Sequence, residues 1–394
     1  AVFTATFKKI SHFDLAGKSI AIAVGSRGIK SQYVVVRHLI RFLKQAGANP
    51  FIFPAMGSHG GGTAVGQVQL LAGYGYTQDA LGVQVKASME VIRIGTLTNG
   101  TPVYCDRIAS EADWIVPVNR VKPHTSFRAD HESGLAKMLA IGISKHAGAE
   151  AMHFSGAQSF ERLIPEAAQV FLDNTNILFG VGTVENANKD ILALELPLPD
   201  EYLDCDKSLL RLAKATIPRL LFEDIDVLVI DEVGKDVSGS GMDPNVTGRP
   251  SSGLPGFDQG LSITRVVVRD LTDVTRGNAC GLGTADVTTQ RLLKKVDWTK
   301  TYVNLVTAGL PNGAKLPIVA NSDHEAIGIA LRCCPGIHSK DARIVWIRNT
   351  LELRTIWVST PMLGDVDTNP NLTPIGAQFT LEFDASHNLS NPGL

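Results

Sequence analysis

The sequence has no surplus of positive charge. Its 394 residues carry a formal net charge of −2, with 37 Lys and Arg against 39 Asp and Glu. Nucleic acids and anionic membrane surfaces are bound through basic patches, so we expect neither as a partner. No apolar run approaches the roughly 18 residues that a spanning helix needs. A small-molecule ligand is the partner that remains, and the oligomeric state stays open.

Cysteine is also scarce. The five cysteines include no Cys-x-x-Cys pair, and they are Cys105, Cys205, Cys280, Cys333 and Cys334. An odd number without paired spacing argues against a disulfide framework and against a zinc ribbon. This pattern is typical of reduced thiols, so we expect a cytoplasmic protein.

Two common nucleotide-binding fingerprints are missing. No clean Gly-x-Gly-x-x-Gly follows a strand pattern, so the sequence gives little support for an NAD site. The glycine-containing stretch GSGMDPNVTGR (239–249) has no Gly-Lys-Ser/Thr at the place that a Walker loop requires. A cofactor of either usual nucleotide class is therefore not indicated.

The first half of the chain alternates strand and helix patterns. Residues 18–24 are rich in β-branched and aliphatic side chains and end at Gly-Ser-Arg-Gly. Residues 31–46 then have helical spacing, and the strand PFIFPAM ends at Gly-Ser-His-Gly-Gly-Gly-Thr. This order predicts an α/β domain with a mainly parallel sheet, and both glycine loops fall where such sheets bind ligands.

The chain is long enough for two domains. An apolar strand pattern at Ile225–Ile230 begins a second α/β domain, which has further strand-like runs before its end. We predict an N-terminal catalytic and cofactor domain at 1–221, a C-terminal domain at 222–375, and a tail at 376–394 that is mobile or returns to the first domain. The active-site cleft is expected between the two domains.

The two glycine loops carry candidate functional residues. His59 lies in the second loop, where a core role explains it poorly. Arg27 lies in the first, and its planar charge suits a carboxylate or a phosphate. A solvated loop arginine is the alternative for Arg27.

A third polar segment follows the strand pattern DWIVPVNRV. His124 lies there among the basic residues Lys122 and Arg128, which favours an anionic ligand or, alternatively, a solvated basic loop. Lys137 has mostly apolar neighbours, so it must be partnered, neutral or covalently used. His153 follows sixteen residues later, also among apolar residues.

Two imidazoles on opposite sides of a substrate can each exchange a proton at neutral pH, which is what inversion of a stereocentre needs. The C2 proton of a 2-hydroxy acid is too weakly acidic for histidine alone. Removing the C2 hydrogen as a hydride needs an electron acceptor. Side chains do not supply one, so a cofactor must.

Two other interpretations remain open at this point. The first is a zinc-dependent hydrolase or lyase with His59, His124 and His153 as ligands and Asp130 or Glu132 as the base. The second is a non-catalytic phosphate- or nucleotide-binding protein that uses both glycine loops as anion sites.

Taken together, the two glycine loops, the segment from His124 to Lys137 and His153 resemble the nickel-dependent lactate racemase family. The resemblance covers roughly residues 15–160 and extends to the second domain only in architecture. It implies an isomerase, a racemase or epimerase of a 2-hydroxy acid, that uses a nickel-pincer nucleotide by reversible hydride transfer. Proteins that make this cofactor would be transient partners.

The resemblance also implies residue roles. His59 and His124 match the two catalytic histidines, Lys137 the lysine that is tethered to the cofactor, and His153 the nickel ligand. The sixteen-residue spacing of the last two is the most specific match. Arg27 matches the arginine that holds the substrate carboxylate. Further cofactor contacts are expected at Ser26, Gly60, Gly61 and Arg27.

The sequence also departs from the family. The segment from His124 to Lys137 is longer than in the lactate enzymes, and Gly-Leu-Ala-Lys replaces a Gly-Gly-Arg-Lys. A polar stretch follows the strand that ends at Glu232, in place of the family's substrate-binding pair. The alternative interpretation of this stretch is an ordinary surface loop. Its polarity favours a larger acid such as an aldonate, and its candidate substrate residues are Lys235, Asp243, Asn245 and Arg249.

Overall fold

The computed structural model describes residues 9–10, 12–26, 30–186, 188–258 and 260–390. Contacts within the chain divide it into two compact units, Ala1–Ile217 (unit 1) and Pro218–Leu394 (unit 2). The division falls four residues before residue 221, where the sequence predicts the first domain to end.

Unit 1 is built on a mostly parallel sheet. Its strands are β1 (Ser19–Val24), β2 (Asn49–Pro54), β3 (Val91–Thr96), β4 (Pro102–Asp106), β5 (Trp114–Arg120), β6 (Val181–Glu185) and β7 (Ile191–Glu195). Within the described residues, five of them form the order β2-β1-β5-β6-β7, in which β7 pairs antiparallel with β6. Strands β3 and β4 form a separate antiparallel pair. The apolar run of β1 is almost wholly buried, as a central parallel strand requires.

The helices of unit 1 connect these strands. They are α1 (Lys30–Gln45), α2 (Ala64–Gly73), α3 (Gln78–Leu81), α4 (Arg107–Ser110), α5 (Leu135–Lys137), α6 (Lys145–Phe154), α7 (Phe160–Asn174) and α8 (Tyr202–Thr216). In α1, Val35, Val36, Leu39 and Leu43 form a buried stripe at helical spacing. This stripe joins the core of unit 1, so α1 completes a strand–helix–strand unit between β1 and β2.

The strand order of unit 1 reverses between β1 and β5. Strand β2 lies on one side of β1, and β5 lies parallel on the other. Parallel strands end at one edge, and ligands of such sheets bind where the order reverses. The residues that follow Val24, Pro54 and Arg120 therefore meet at the edge where a ligand is expected.

One helical segment near this edge is irregular. A π-helix at Met138–Ile143 follows α5 directly, and π-helical turns occur frequently at functional sites. Within it, a Cβ on Gly142 would lie 2.9 Å from the carbonyl oxygen of Ala55, so glycine is needed there. The N–H of Gly57 donates to the carbonyl of Gly142 at 3.1 Å. The segment that carries Lys137 is thus fixed to the loop after β2.

Unit 2 is a second α/β unit. Its strands are β8 (Asp224–Val233), β9 (Ser262–Leu271), β10 (Val287–Thr289), β11 (Ile318–Ala320), β12 (Ile344–Ile347) and β13 (Trp357–Val358). In the described part of the unit these six form the order β11-β10-β9-β8-β12-β13, antiparallel at β12–β13. Here the order reverses between β8 and β12.

Alternate residues of β8 enter two apolar clusters. Leu228 and Ile230 belong to one, and Val227 and Val229 to the other, because successive side chains point to opposite faces of a sheet. The helices of unit 2 are α9 (Pro244–Thr247), α10 (Gln290–Lys295), α11 (Trp298–Thr307), α12 (Asp323–Arg332) and α13 (Leu363–Thr368).

The described part of the predicted tail is held on unit 2. Phe383 and Leu389 pack in one of its apolar clusters. Arg269 donates to the carbonyl of Leu389 at 2.7 Å, and the N–H of Leu389 donates to Asp323 at 2.9 Å.

The prediction of an α/β fold with mainly parallel sheets is confirmed, since both units have this architecture. A search of the described helices finds none that is both long and apolar enough to cross a bilayer.

Candidate functional site

Three loops meet at the carboxyl edge of the unit 1 sheet. They follow β1, β2 and β5, and they carry Ser26, His59 and His124 respectively. The hydroxyl of Ser26 is hydrogen-bonded to Nδ1 of His59. Ser26, predicted to bind the cofactor, therefore fixes the orientation of the His59 ring. Arg27 lies outside the described residues.

The His59 loop has a backbone that only glycine adopts easily. Gly60, Gly61 and Gly62 have φ values of 65, 68 and 64°, in the left-handed region. A Cβ on Gly60 would lie 2.7 Å from the backbone nitrogen of Gln67, so Gly60 packs against α2. A Cβ on Gly61 would meet nothing within 4 Å. Of the two glycines predicted at the cofactor, Gly61 thus has open space beside it.

His124 is held from both sides. Its N–H donates to Oε2 of Glu132 at 2.6 Å, and the N–H of Ser126 donates to its Nδ1 at 3.0 Å. The Phe127 ring lies 4.5 Å from the imidazole centroid. Nε2 of His124 lies 2.6 Å from Nζ of Lys137. The structure therefore brings a predicted catalytic histidine into contact with the predicted cofactor lysine.

The electrostatics of His124 favour the neutral ring. Desolvation by burial is the largest cause that holds the pKa of His124 well below its usual 6.5. A neutral imidazole is the form that can take a proton.

His153 lies on α6 and offers one nitrogen. Its Nδ1 lies 2.6 Å from the carbonyl oxygen of Ala149, and a carbonyl only accepts, so Nδ1 carries the ring proton. The lone pair is then on Nε2, the arrangement usual for a metal-binding imidazole. His153 as a whole residue is exposed, and desolvation of its ring lowers the pKa of His153, which favours the neutral form. His153 is close enough to influence the pKa of His124.

Two carboxylates of the zinc interpretation have other roles. Glu132, whose side chain is wholly buried, accepts from the N–H groups of His124 and Ala129 and pairs with Lys214 at 2.6 Å. Asp130 pairs with Lys207 at 2.5 Å on the surface. In the part of the chain that the structure describes, no three His, Cys, Asp or Glu side chains form a group that could hold a metal ion.

These residues fit a cofactor that brings most of its own metal ligands. Such a group needs one imidazole and an attachment point from the protein. The Nε2 lone pair of His153 and the Lys137 amine beside His124 supply both. The donor set is therefore compatible with a nickel-pincer nucleotide.

The polar residues predicted in unit 2 are largely bonded to their own chain. Lys235 follows β8 and donates from Nζ to the carbonyl of Gly239 at 2.6 Å. Asp243 caps α9, and its Oδ1 accepts from the N–H and the side-chain amide of Asn245 at 3.0 and 2.7 Å. The N–H of Asp243 donates to Thr350 at 2.8 Å, just after β12.

The prediction that Arg249 binds substrate at the carboxyl end of a strand is corrected by its contacts. It pairs with Asp286 at 2.5 Å and donates to the carbonyls of Ile263, Thr264 and Thr284 at 3.0, 2.9 and 3.3 Å. Ile263 and Thr264 begin β9, whose other end pairs with the end of β8. At about 3.3 Å per residue, Arg249 lies roughly 25 Å from the carboxyl edge. It joins strands there and is not placed to bind substrate at that edge.

Sequence reasoning missed two buried residues below the His59 loop, Gln67 and Lys145. Lys145 has apolar neighbours, the same signal that singled out Lys137. Gln67 gives no such signal, because an isolated glutamine in a helical pattern is usually exposed.

Comparisons with known proteins find one similar domain and one similar fold. Residues 6–162 match the family model for the lactate racemase N-terminal domain. The lactate racemase apoprotein from Thermoanaerobacterium thermosaccharolyticum has a similar structure, with a TM-score of 0.56 and 15% identity over 86% of this chain and 87% of that one. No curated protein matches the sequence. Residues 6–162, in unit 1, are therefore similar to the lactate racemase N-terminal domain, and the chain as a whole shares the fold of the lactate racemase apoprotein.

Proposed function

We propose that this protein is an isomerase that inverts C2 of a 2-hydroxy carboxylic acid, with a nickel-pincer nucleotide as cofactor. One observation carries the proposal: His124 contacts Lys137 beside His153, at the sheet edge that also presents His59. The match to the lactate racemase N-terminal domain agrees with a racemase or epimerase.

The hydrogen bonds of His124 favour a neutral Lys137 in this proposal. A backbone N–H can only donate, so Nδ1 of His124 accepts from Ser126 and the neutral ring carries its proton on Nε2. The Nε2–H then donates to Nζ of Lys137, which accepts only as a neutral amine. A neutral amine is a nucleophile, which is what attachment of a cofactor through this lysine requires.

His153 would complete the coordination of nickel. Imidazole is a suitable nickel ligand, and Nε2 of His153 has its lone pair available because Nδ1 donates to Ala149. When bound, the nickel-pincer nucleotide would supply the hydride acceptor that the side chains lack.

The chain's own residues would handle the hydroxyl proton. His59 and His124 follow two different strands, so they can approach a substrate from different sides. One imidazole takes the hydroxyl proton of the incoming acid. After the other face of C2 has received the hydride, the second imidazole returns a proton to the oxygen. Ser26 holds the His59 ring in place during this exchange.

The choice of substrate stays at the class of 2-hydroxy acids. An aldonate was favoured by the polar residues of unit 2, but Asp243, Asn245 and Arg249 bond largely to their own chain. Lys235, which donates to the carbonyl of Gly239, and Arg27 each stay predictions from the sequence.

The two alternatives have less support. Zinc hydrolysis would need Asp130 or Glu132 as a base, and both are paired with lysines. A simple anion-binding protein would have no use for the contact between His124 and Lys137, since two adjacent bases do not strengthen an anion site as two cations would.

The test uses protein made in a host that synthesises the cofactor. Single enantiomers of several 2-hydroxy acids are incubated in D₂O, and both chirality and deuterium at C2 are followed. We expect inversion without deuterium at C2, because the hydride returns to the carbon that it left. Inversion with deuterium would indicate proton abstraction, and no inversion of any acid would contradict the proposed function.

A further inference from the structure

Lys145 is a buried cation with an unusual backbone. It begins α6 with φ at 57°, in a region that side chains other than glycine rarely adopt. Its side chain is fully buried and pairs with the equally buried Asp106 at 3.0 Å. Burying this charge and holding this backbone both cost stability, so packing alone does not explain a lysine here.

The remaining contacts of Lys145 lead to the His59 loop. Nζ donates to the carbonyl of Pro54, the last residue of β2, at 2.6 Å, and to Oε1 of Gln67 at 3.1 Å. Gln67 is also fully buried. Because a cation lies at its Oε1, the amide of Gln67 must point its NH₂ group the other way.

That NH₂ group holds the backbone of the loop. Nε2 of Gln67 donates to the carbonyls of Gly57 and His59 at 2.9 and 3.2 Å. The same loop packs against α2 so closely that a Cβ on Gly66 would lie 1.9 Å from the carbonyl oxygen of Gly60. The position of His59 is thus fixed by hydrogen bonds that begin at Lys145.

Lys145 also connects this loop with a second part of the site. His153 lies eight residues further along the same helix, a distance of about 12 Å. One buried side chain therefore ties the helix of the proposed nickel ligand to the loop of a proposed acid/base histidine.

We propose that Lys145 and Gln67 are positioning residues that hold His59 in register with the helix of His153. The proposal rests on the function proposed for His59. Neither residue is expected to touch substrate, since both are fully buried.

The test compares two variants with a matched control. Gln67→Met keeps the size of the side chain but removes its hydrogen bonds. Leu71→Ala is the control, because Leu71 lies one turn further on α2, is fully buried and belongs to the apolar core. Since Lys145→Met alone would leave Asp106 unpaired, it is combined with Asp106→Asn, which can still accept the hydrogen bond from Ala109.

The first measurement needs no cofactor. Amide hydrogen exchange of residues 57–62 is compared with that of β1, which reports global opening. We expect exchange of the loop to become about tenfold faster in Gln67→Met and in the double variant, and to follow β1 in Leu71→Ala. Unchanged loop protection in Gln67→Met would overturn the proposal.

The second measurement uses cofactor-loaded enzyme. Gln67→Met should lower kcat about tenfold or more and leave KM within about twofold, because proton transfer and not binding is disturbed. Leu71→Ala should keep normal turnover per folded molecule. Faster loop exchange with normal kcat would show that the hydrogen bonds are merely structural. If wild-type enzyme inverts no acid, the proposed function fails, and loop exchange still decides whether these residues hold His59.

Discussion

The proposed site residues of unit 1 and two arginines of unit 2 are paired differently. In unit 1, Nζ of Lys137 lies 2.6 Å from Nε2 of His124, so two basic side chains are neighbours. In unit 2, Arg249 pairs with Asp286, and Arg269 pairs with Asp231 and Asp323. In an ion pair each buried charge is compensated by its partner. Two adjacent basic groups have no such compensation, and this arrangement is typical of functional sites. The partner of a basic side chain therefore distinguishes Lys137 from the ion-paired arginines of unit 2.

The largest effect is expected at the histidines of unit 1. His59→Ala and His124→Ala should each lower turnover at least about a hundredfold, since each removes one of the two groups that move the hydroxyl proton. The cofactor should remain bound in His59→Ala, because His59 does not contact Lys137 in this proposal. The check is steady-state inversion together with metal content. Near-normal turnover in either variant would remove that histidine from the proposed mechanism.

A substitution at Arg249 tests whether an ion pair of unit 2 contributes to stability and not to turnover. Arg249→Leu should lower the free energy of unfolding by about 1–3 kcal/mol, because an ion pair and hydrogen bonds to three carbonyls are lost. Turnover per folded molecule should stay within about twofold. Chemical denaturation and kinetics measure the two quantities. A large loss of turnover in a stably folded variant would return Arg249 to the substrate site.

Lys137 provides a chemical test of the shared hydrogen bond. As a neutral amine it should react with an acylating reagent at neutral pH about tenfold faster than exposed lysines such as Lys189 and Lys294. Peptide mapping of the protein without cofactor measures the rates. In His124→Phe, Lys137 should be acylated no faster than the exposed lysines. Equal reactivity of Lys137 and the surface lysines in wild type would contradict the neutral state.

The smallest effect concerns acid stability without cofactor. The pKa of His124 in the folded protein lies well below 6.5, so below about pH 6.5 the unfolded chain binds a proton that the folded one does not. Stability should therefore fall as the pH decreases through this range, and less so in His124→Gln. Denaturation curves at several pH values test this. Parallel pH profiles for the two proteins would show that His124 is not held neutral.

The sequence was sufficient for the fold class and for the loops of the site. Alternating strand and helix patterns predicted the α/β units, and glycine loops after strands located Ser26 and His59. The sixteen-residue spacing of Lys137 and His153 is visible in the sequence itself. These features are local, and local patterns determine which strand end carries which residue.

Contacts between distant residues could not be predicted in this way. Lys145 and Gln67 are 78 residues apart, and their contact depends on how α6 packs below the loop after β2. Arg249 was misplaced for a related reason. The sequence shows that it follows β8, but not that the intervening loop runs back along the sheet to the start of β9.

Mass spectrometry combined with nickel analysis tests whether Lys137 and His153 hold a nickel-pincer nucleotide. On protein made in a cofactor-competent host, we expect a nucleotide-sized adduct on the peptide that contains Lys137, and about one nickel per chain. His153→Ala should keep the adduct and lose most of the nickel. Nickel without any adduct would contradict the attachment at Lys137, and full nickel and activity in His153→Ala would contradict the cofactor site as a whole.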